Sequence, residues 1–299
     1  MTGEEKSAEN GFPRHYIIFN PKAKNGKSGK ICEKVRAALD GAGRPYVLLE
    51  TRSRGHATRL AAELPEDAEE LIVIGGDGTF HEVLNGLRNP QGMRIAFIAG
   101  GTGNDFCAGA GISEDPEKIL SLVLKGGTRE TDFLSFDGKR CLNVGGLGMD
   151  VDVLERCARG RLHGKIKYLC SLVVSVLTFR GYDMTLYVNG EERRRKALFA
   201  ALCNGDRIGG GIRICPHADP QDGKIEVVMV PQMGFFRMVR AFLSLMRGKI
   251  LSFPLTEHDY CDEVEITTEE PHTVQMDGEL YGGYTRVHAK IERGLKIYR

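Results

Sequence analysis

A short buried strand, a glycine turn and the start of a helix follow one another in Ile72-Val73-Ile74-Gly75-Gly76-Asp77-Gly78-Thr79-Phe80-His81-Glu82. The apolar residues 71–74 come directly before glycines, which predicts a buried strand of a parallel sheet. The glycines allow a tight turn and a close approach to a ligand because they carry no Cβ atom. A strand, a glycine turn and a helix start together form a binding site for an anion, since free N–H groups and the helix dipole both face it.

Asp77 does not fit a plain phosphate cradle, because a carboxylate repels a phosphate. Its position is explained if Mg²⁺, or a hydroxyl group to be oriented, lies between the carboxylate and the phosphate. The alternative is an ordinary tight turn that carries a surface aspartate.

The totals favour a soluble protein of two domains. The length of 299 residues exceeds one typical core, and 41 Lys and Arg balance 40 Asp and Glu, so no net charge indicates a nucleic-acid partner. The eight scattered cysteines indicate a reducing, cytoplasmic location. Residues 1–13 read as a flexible leader, and the longest apolar run, residues 168–179, is too short to span a membrane.

A second candidate phosphate loop follows the first predicted strand, residues 15–19. It begins with Asn20-Pro21-Lys22-Ala23-Lys24 and continues to Lys30 with glycine, serine and lysine. A basic glycine loop between a strand and a helix suits a polyphosphate, and a solvated lysine-rich turn explains the pattern equally well. The spacing of a Walker A motif is absent.

A second Asp-bearing glycine turn ends the predicted strand 94–99, with the sequence Gly100-Gly101-Thr102-Gly103-Asn104-Asp105-Phe106. The carboxyl ends of strands line the ligand crevice of an open α/β sheet. We therefore expect the two glycine turns to flank one nucleotide.

From residue 128 onward, strand-like segments follow one another mostly without helices, which predicts a largely antiparallel β domain. Two helical insertions interrupt it, at residues 164–179 and 235–250. Each combines an apolar stripe with arginine and lysine, so each either packs on its own domain or contacts an anionic membrane.

Three stretches of this second half carry candidate chemistry. Residues 143–150 read as a glycine hinge. Asp222, with the carbonyls of Asp219 and Lys224, suits a hard cation, and an Asp-Gly turn between strands is the alternative. If Gly282-Gly283 turns a hairpin, Asp277 and Glu279 remain as candidates for a general base, with a solvated loop as the alternative.

In their order and separations these motifs resemble the diacylglycerol-kinase-type lipid kinases, with the soluble bacterial branch nearest and the sphingosine kinases more distant. The resemblance covers residues 15–298. It implies an α/β fold class: an N-terminal three-layer α/β nucleotide-binding domain over residues 14–128, then a β-sandwich domain over residues 129–299. The last strand is able to return to the first domain, and the active site lies in the interdomain cleft.

The resemblance also implies roles for individual residues. Asp219, Asp222 and Lys224 match a structural Mg²⁺ loop, and Asp277-Gly278-Glu279 matches the region of the proton acceptor. Either Glu279 or Asp277 qualifies, and the sphingosine branch favours the position of Asp77. Nucleotide contacts are implied from Asn20, Pro21, Lys22, Ala23, Lys24, Thr51, Gly75, Gly76, Asp77, Gly78, Thr79, Phe80, His81, Thr102, Gly103, Asn104 and Asp105.

Two residues depart from the family pattern, since His81 stands where the branch usually has Asn and His56 where it often has Asp.

The expected activity is Mg²⁺-dependent transfer of the γ-phosphate of ATP to a lipid hydroxyl, most simply diacylglycerol to give phosphatidic acid. The enzyme would meet its lipid peripherally, at the inner face of the membrane, and a homodimer is possible. Two alternatives stay open: an NAD kinase, and a catalytically inactive lipid-binding regulatory protein. The natural lipid is also open.

Overall fold

The computed structural model describes residues 14–26, 28–101, 103–159 and 164–299. The chain divides into two compact units. Of the described residues, unit 1 comprises those from Arg14 to Thr131 together with Arg293–Arg299, and unit 2 comprises those in Asp132–Glu292.

Unit 1 alternates strands with helices. Its elements are β1 His15–Phe19, α1 Ser28–Gly41, β2 Tyr46–Glu50, α2 His56–Ala62, β3 Glu70–Gly75, α3 Asp77–Gly86, β4 Arg94–Ala99, α4 Asp105–Gly109 and α5 Pro116–Lys125.

The strands of unit 1 form a parallel sheet in the order β2-β1-β3-β4. The end of the chain adds a further parallel strand beside β4, where Lys296 pairs with Arg94 and Ile297 with Ile95. Strand β3 is buried along its whole length, as its uninterrupted apolar sequence predicts for a strand covered on both faces. The hydroxyl of Tyr298 donates a 2.7 Å hydrogen bond to the buried Glu70, which ties the chain end to the start of β3.

Unit 2 consists mainly of antiparallel strands. Its elements are β5 Arg129–Phe136 (which starts in unit 1), β6 Lys139–Cys141, β7 Val144–Gly148, α6 Met149–Arg159, α7 Gly164–Thr178, β8 Tyr182–Val188, β9 Glu191–Cys203, β10 Arg207–Ile208, β11 Ile212–Arg213, β12 Ile225–Pro231, α8 Phe235–Met246, β13 Glu257–Cys261, β14 Glu263–Met276 and β15 Glu279–Ile297.

Two apolar cores lie on opposite faces of these strands. In β12, Val227 and Met229 join a core made almost entirely of strand residues, the interior of the β-sandwich. The alternate residues Val228 and Val230 join a second core, to which helices α6, α7 and α8 contribute. This alternation is the period of two that a strand imposes on its side chains. Strand β12 therefore separates the interior of the β-sandwich from the core that the helices cover.

Residues 143–150 do not form the predicted hinge. Val144–Gly148 is the buried strand β7, and helix α6 starts at Met149. Its glycines are required by packing, because a Cβ at Gly145 would collide with the ring of Phe136 and a Cβ at Gly146 with the carbonyl of Ala200. Glycine here lets neighbouring groups approach the strand closely and does not give it mobility.

The hairpin turn near the C-terminus also differs from the prediction. Strands β14 and β15 are joined at Asp277-Gly278, where both residues have positive φ, 52° and 86°. An Asp-Gly pair with two positive φ angles is the preferred two-residue hairpin turn. The pair Gly282-Gly283 lies inside β15 instead. Asp277 therefore stands in a turn and not in the extended chain assumed for it.

None of the helices within the described ranges combines the length and the apolar character needed to cross a bilayer.

Candidate active site

The first glycine turn lies at the carboxyl end of β3. Helix α3 starts directly after it with Gly76 as N-cap, and no side chain among the described residues caps this helix end. A Cβ at Gly75 would lie 2.5 Å from the Cβ of Thr79, so only glycine fits here. The Thr79 hydroxyl in turn accepts a 3.0 Å hydrogen bond from the side-chain amide of Asn20. The start of α3 and the loop after β1 thus lie together at one edge of the sheet.

The second glycine turn, after β4, touches the first. The Gly100 N–H donates to the Gly75 carbonyl at 2.6 Å. A Cβ on Gly101 would lie 2.6 Å from the Cα of Gly76, and a Cβ on Gly76 would lie 2.9 Å from the Cα of Gly101. Only two glycines permit this backbone contact. The two turns form one surface within unit 1, as their position at neighbouring strand ends predicts.

Asp77 connects the two turns. Its carboxylate accepts hydrogen bonds from the backbone N–H groups of Asp105, at 3.2 Å, and Phe106, at 3.4 Å, at the start of helix α4. A carboxylate at a helix N-terminus pairs with N–H groups that have no partner within the helix. Asp77 is therefore both an anchor for the second turn and a negative charge beside the proposed nucleotide.

The other residues proposed to contact the nucleotide fall into three groups. Asn20, Pro21, Lys22 and Ala23 form the loop after β1, which the Ser28 hydroxyl holds through the carbonyls of Asn20, at 2.8 Å, and Pro21, at 3.2 Å. Thr51 lies next to this loop, since its N–H donates to the Phe19 carbonyl at 2.9 Å.

The second group is buried. Phe80 packs against Phe97 with ring centroids 4.6 Å apart and the rings tilted by 46°, and the side chain of His81 is 1% exposed beside Asn85. Any contact of these two residues with a nucleotide would come from the backbone. The third group is Thr102, which lies outside the described residues together with the leader 1–13, and Lys24, whose side chain is likewise not described.

The Asp277-Gly278 turn of unit 2 holds its aspartate in place. The Asp277 carboxylate accepts hydrogen bonds from the N–H groups of Leu142 and Asn143, both at 2.8 Å, and from the Cys141 thiol at 3.1 Å. Both carboxylate oxygens are thus occupied by the segment that precedes β7. Glu279, the first residue of β15, is half-buried, and its carboxylate contributes with burial to raising the pKa of Tyr281 to about 12.

Asp150 is a candidate residue that the sequence pattern did not single out. It lies in the first turn of α6, and burial raises the pKa of its carboxyl to about 6. The Gln275 side chain hydrogen-bonds to it and also accepts the Gly278 N–H at 3.0 Å, which connects Asp150 to the Asp277 turn. Its Oδ1 is buried without a hydrogen-bond partner, and it borders an apolar cavity lined by Leu172, Phe199 and other residues. The signal was available in the residues Met149-Asp150, a carboxylate inside an apolar glycine-rich run.

The proposed Mg²⁺ loop lies between β11 and β12. Asp219 accepts the Gln221 N–H at 3.1 Å, and Asp222 accepts the Lys224 N–H at 2.9 Å. The Lys224 ammonium is paired with Asp262 at 2.7 Å, so this residue offers a cation only its carbonyl. Burial raises the pKa of Asp222. Carboxylate and carbonyl oxygens are the donors that suit Mg²⁺.

Comparison with known proteins agrees with this arrangement of a parallel α/β unit followed by an antiparallel one. The family model for the diacylglycerol kinase catalytic domain matches residues 14–136. The model for the YegS C-terminal NAD kinase beta sandwich-like domain matches residues 144–297. Both halves of a kinase of this class are therefore present in one chain.

Individual relatives extend the match over nearly the whole length. A diacylglycerol kinase of Staphylococcus carnosus is 25% identical, over 95% of this chain and 94% of its own length. A diacylglycerol kinase of Bacillus subtilis is also 25% identical, over 90% of each chain. A crystal structure titled as a diacylglycerol kinase from Bacillus anthracis shares the fold, with a TM-score of 0.77 at 24% identity, covering 97% of this chain and 98% of its own. The chain belongs to the diacylglycerol-kinase-type lipid kinase family, and the family and fold class predicted from the sequence are confirmed.

Proposed function

We propose that this protein transfers the γ-phosphate of ATP to the free hydroxyl of a lipid, most simply diacylglycerol, to give phosphatidic acid. The observation that carries the proposal is the backbone contact between Gly76 and Gly101 with Asp77 bound across it. A close-packed pair of glycine turns beside an uncapped helix start offers N–H groups to phosphates, and the family match supplies the reaction type. Two relatives carry the name diacylglycerol kinase, which favours that substrate.

In this proposal the chain contributes mainly alignment and charge, because phosphoryl transfer has a loose transition state. The start of α3 and the loop after β1 bind the polyphosphate. Asp77 would hold Mg²⁺ through its water shell, and the ion would neutralise charge on the β- and γ-phosphates. The loop containing Asp219 and Asp222 would hold a second, structural Mg²⁺.

Glu279 is the residue we propose to accept the proton of the lipid hydroxyl. Asp277 is the other candidate, but both of its oxygens already accept hydrogen bonds from backbone or thiol donors. A general base needs a lone pair directed at the proton it removes. Asp277 is then a positioning residue: it fixes the turn that directly precedes Glu279.

We also propose that helices α7 and α8 bind the membrane that presents the lipid. Phe235 and Phe236 are 52% and 82% exposed at the start of α8, and Leu177 of α7 is 50% exposed. Exposed basic residues accompany them on and after α8, namely Arg237, Arg240, Arg247 and Lys249. Apolar side chains beside cations are typical of helices that lie in an anionic lipid surface.

The activity is tested with radiolabelled ATP and a panel of lipids in anionic micelles, with NAD⁺ as a separate acceptor. We expect labelled phosphatidic acid from diacylglycerol, and none from Asp77→Asn protein purified in the same way. Labelled NADP⁺ with no labelled lipid would replace the proposal by an NAD kinase. Lipid binding without any labelled product would replace it by a regulatory module.

Membrane contact is tested by sedimentation with anionic vesicles. Replacing Phe236 by Ser removes one large apolar contact, worth about 2 kcal/mol, so the vesicle partition coefficient should fall by more than tenfold. Tyr187→Ser is the matched control, because Tyr187 is an aromatic residue of strand β8 with 39% exposure. Equal binding of both variants would remove α8 from the docking surface.

A further inference from the structure

A buried cluster of ligand-type side chains lies in unit 2, outside the proposed active site and outside the Mg²⁺ loop. Cys215, Glu226 and His258 place one ligand atom each within 4.8 Å of one another. Within the described part of the chain they are the one group of three such side chains found so close together. Glu226 comes from β12, His258 from β13, and Cys215 from the segment after β11.

The fold directs these side chains to one side of the sheet. Glu226 pairs with Cys203 of β9 on one flank and with Tyr260 on the other, and His258 lies two residues from Tyr260. Since alternate strand residues share a face, Glu226, Cys203 and His258 all point toward the helix-covered core. Cys203 is fully buried and lies directly opposite Glu226 in the strand register. The cluster therefore has three close ligand atoms, with the Cys203 thiol on the same face as a candidate fourth ligand.

Within the cluster, one carboxylate oxygen of Glu226 contacts both His258 and Cys215. Oε2 lies 2.8 Å from Nε2 of His258 and 2.5 Å from Sγ of Cys215. Oε1 is buried without any hydrogen-bond partner, in a residue that is 2% exposed. A buried carboxylate oxygen without a partner is costly, and such groups usually pair with a cation or bind a metal.

We propose that Cys215, Glu226 and His258 form a structural site for a borderline transition metal, with Zn²⁺ as the expected ion and the Cys203 thiol moving in as its fourth ligand. Sulfur, imidazole nitrogen and carboxylate oxygen are the ligands of zinc, and four protein ligands close a structural site. Mg²⁺ is excluded, because it takes oxygen ligands and avoids thiolate.

The present spacing is close to what such an ion requires. Zinc bonds of about 2.0–2.3 Å put tetrahedral ligand atoms roughly 3.5 Å apart. The Sγ–Nε2 separation of Cys215 and His258 is 4.0 Å. The two contacts of Oε2 must lengthen by about 1 Å, which rotation of the Glu226 side chain provides. The bound ion would join strands β9, β12 and β13 to the segment that leads into the loop of Asp219 and Asp222.

Cobalt is the probe, because its visible spectrum reports coordination and its thiolate bonds give a near-ultraviolet charge-transfer band. The full-length protein is stripped with a chelator under reducing conditions and titrated with Co²⁺. We expect saturation at one equivalent, a tetrahedral visible spectrum, displacement by Zn²⁺ and none by Mg²⁺. Absence of a thiolate band in the wild-type protein would overturn the proposal.

The ligands are then identified with variants. Cys215→Ser and Glu226→Gln should weaken metal binding by more than about 100-fold. Cys261→Ser is the matched control: Cys261 is equally buried on a neighbouring strand but belongs to the sandwich core on the opposite face, and it should bind as the wild type does. Unchanged binding by both ligand variants, or a Cys203–Cys215 disulfide in the native protein, would overturn the assignment. If the ligand variants do not fold, the melting temperature of the metal-free wild-type protein is the test. One equivalent of Zn²⁺ should raise that temperature, and no rise would overturn the proposed site.

Discussion

Asp77 in unit 1 and Asp277 in unit 2 both stand just after a strand, and both accept hydrogen bonds from backbone N–H groups of another segment. The bonds to Asp77 measure 3.2 and 3.4 Å. Those to Asp277 from two N–H groups measure 2.8 Å each, a thiol adds a third, and the residue itself has φ 52°. Both turns thus use an aspartate side chain, and the hydrogen bonds that hold the carboxylate are shorter at Asp277 than those from Asp105 and Phe106 at Asp77.

We propose that the difference separates a carboxylate used in the reaction from one used to hold a turn. N–H···O bonds are strongest near 2.9 Å, so the two N–H donors hold Asp277 more tightly than those of Asp105 and Phe106 hold Asp77. In unit 2 the comparison leaves Glu279, two residues from Asp277, as the carboxylate for proton transfer.

The largest expected effect is that of Asp77→Asn. It removes the charge but keeps the size and one acceptor oxygen, so the transfer rate should fall by about 10³-fold while the free energy of unfolding changes by less than about 1 kcal/mol. Lipid kinase assays and urea unfolding measure the two quantities. Asp67→Asn is the control, because Asp67 is an exposed carboxylate of the same unit. A rate within tenfold of the wild type would remove Asp77 from the mechanism.

Glu279→Gln has the second largest expected effect. Its kcat should be about 10²-fold lower with the KM for ATP unchanged, because a general base contributes about 10² to 10⁴-fold. Asp277→Asn should keep kcat within about tenfold of the wild type, because in the proposal it positions the turn and takes no proton. If instead Asp277→Asn lowers kcat by about 10²-fold and Glu279→Gln does not, the two roles are exchanged.

Asp277→Ala tests the structural side of the comparison. It leaves the N–H groups of Leu142 and Asn143 without their acceptor and puts alanine at a positive φ, so unfolding should become easier by roughly 3 kcal/mol. Asp277→Asn tolerates that φ and should cost less. Urea midpoints measure both, and equal stability of the two variants would mean that the turn does not depend on this side chain.

The parallel sheet and both glycine turns followed from the sequence because β3 and β4 are uninterrupted apolar runs that end in glycine. The start of helix α3 could be predicted for the same reason. The contact between Gly76 and Gly101 could not be predicted, since it depends on how closely two neighbouring strands bring their ends together.

The second half was predicted less well, for identifiable reasons. Two candidate turns, Asp277-Gly278 and Gly282-Gly283, lie four residues apart, and only the strand register with β14 shows which one reverses the chain. Strand β7 contains three glycines that read as flexibility, although Phe136 and Ala200 fill the space beside two of them. The Cys215–Glu226–His258 cluster joins residues up to 43 positions apart and leaves no local pattern.

Gly101→Ala tests how closely the two turns of unit 1 must approach. The new Cβ would lie 2.6 Å from the Cα of Gly76, a backbone atom that cannot turn away, so the turns must separate. We expect a loss of about 2 kcal/mol in stability and a higher KM for ATP. Gly100→Ala is the matched control, because its nearest atoms lie at 3.5 Å, an ordinary contact. Equal effects of both substitutions would show that the contact is not required.

Asp150→Asn has the smallest expected effect on catalysis and separates burial from function. Burial raises the pKa of Asp150 to about 6 from 3.8, so the folded state favours the protonated form. The stability gained from that form is present below about pH 4 and is lost as the pH rises through about 6. Asparagine does not ionise, so the variant should come close to the wild type at pH 4 and exceed it by about 2 to 3 kcal/mol at pH 7.5. Urea unfolding at the two pH values measures this, and a difference independent of pH would contradict it. A simultaneous rise in the KM for the lipid would show that the protein keeps this destabilising carboxylate for its substrate, in contrast to Asp277, which holds a turn.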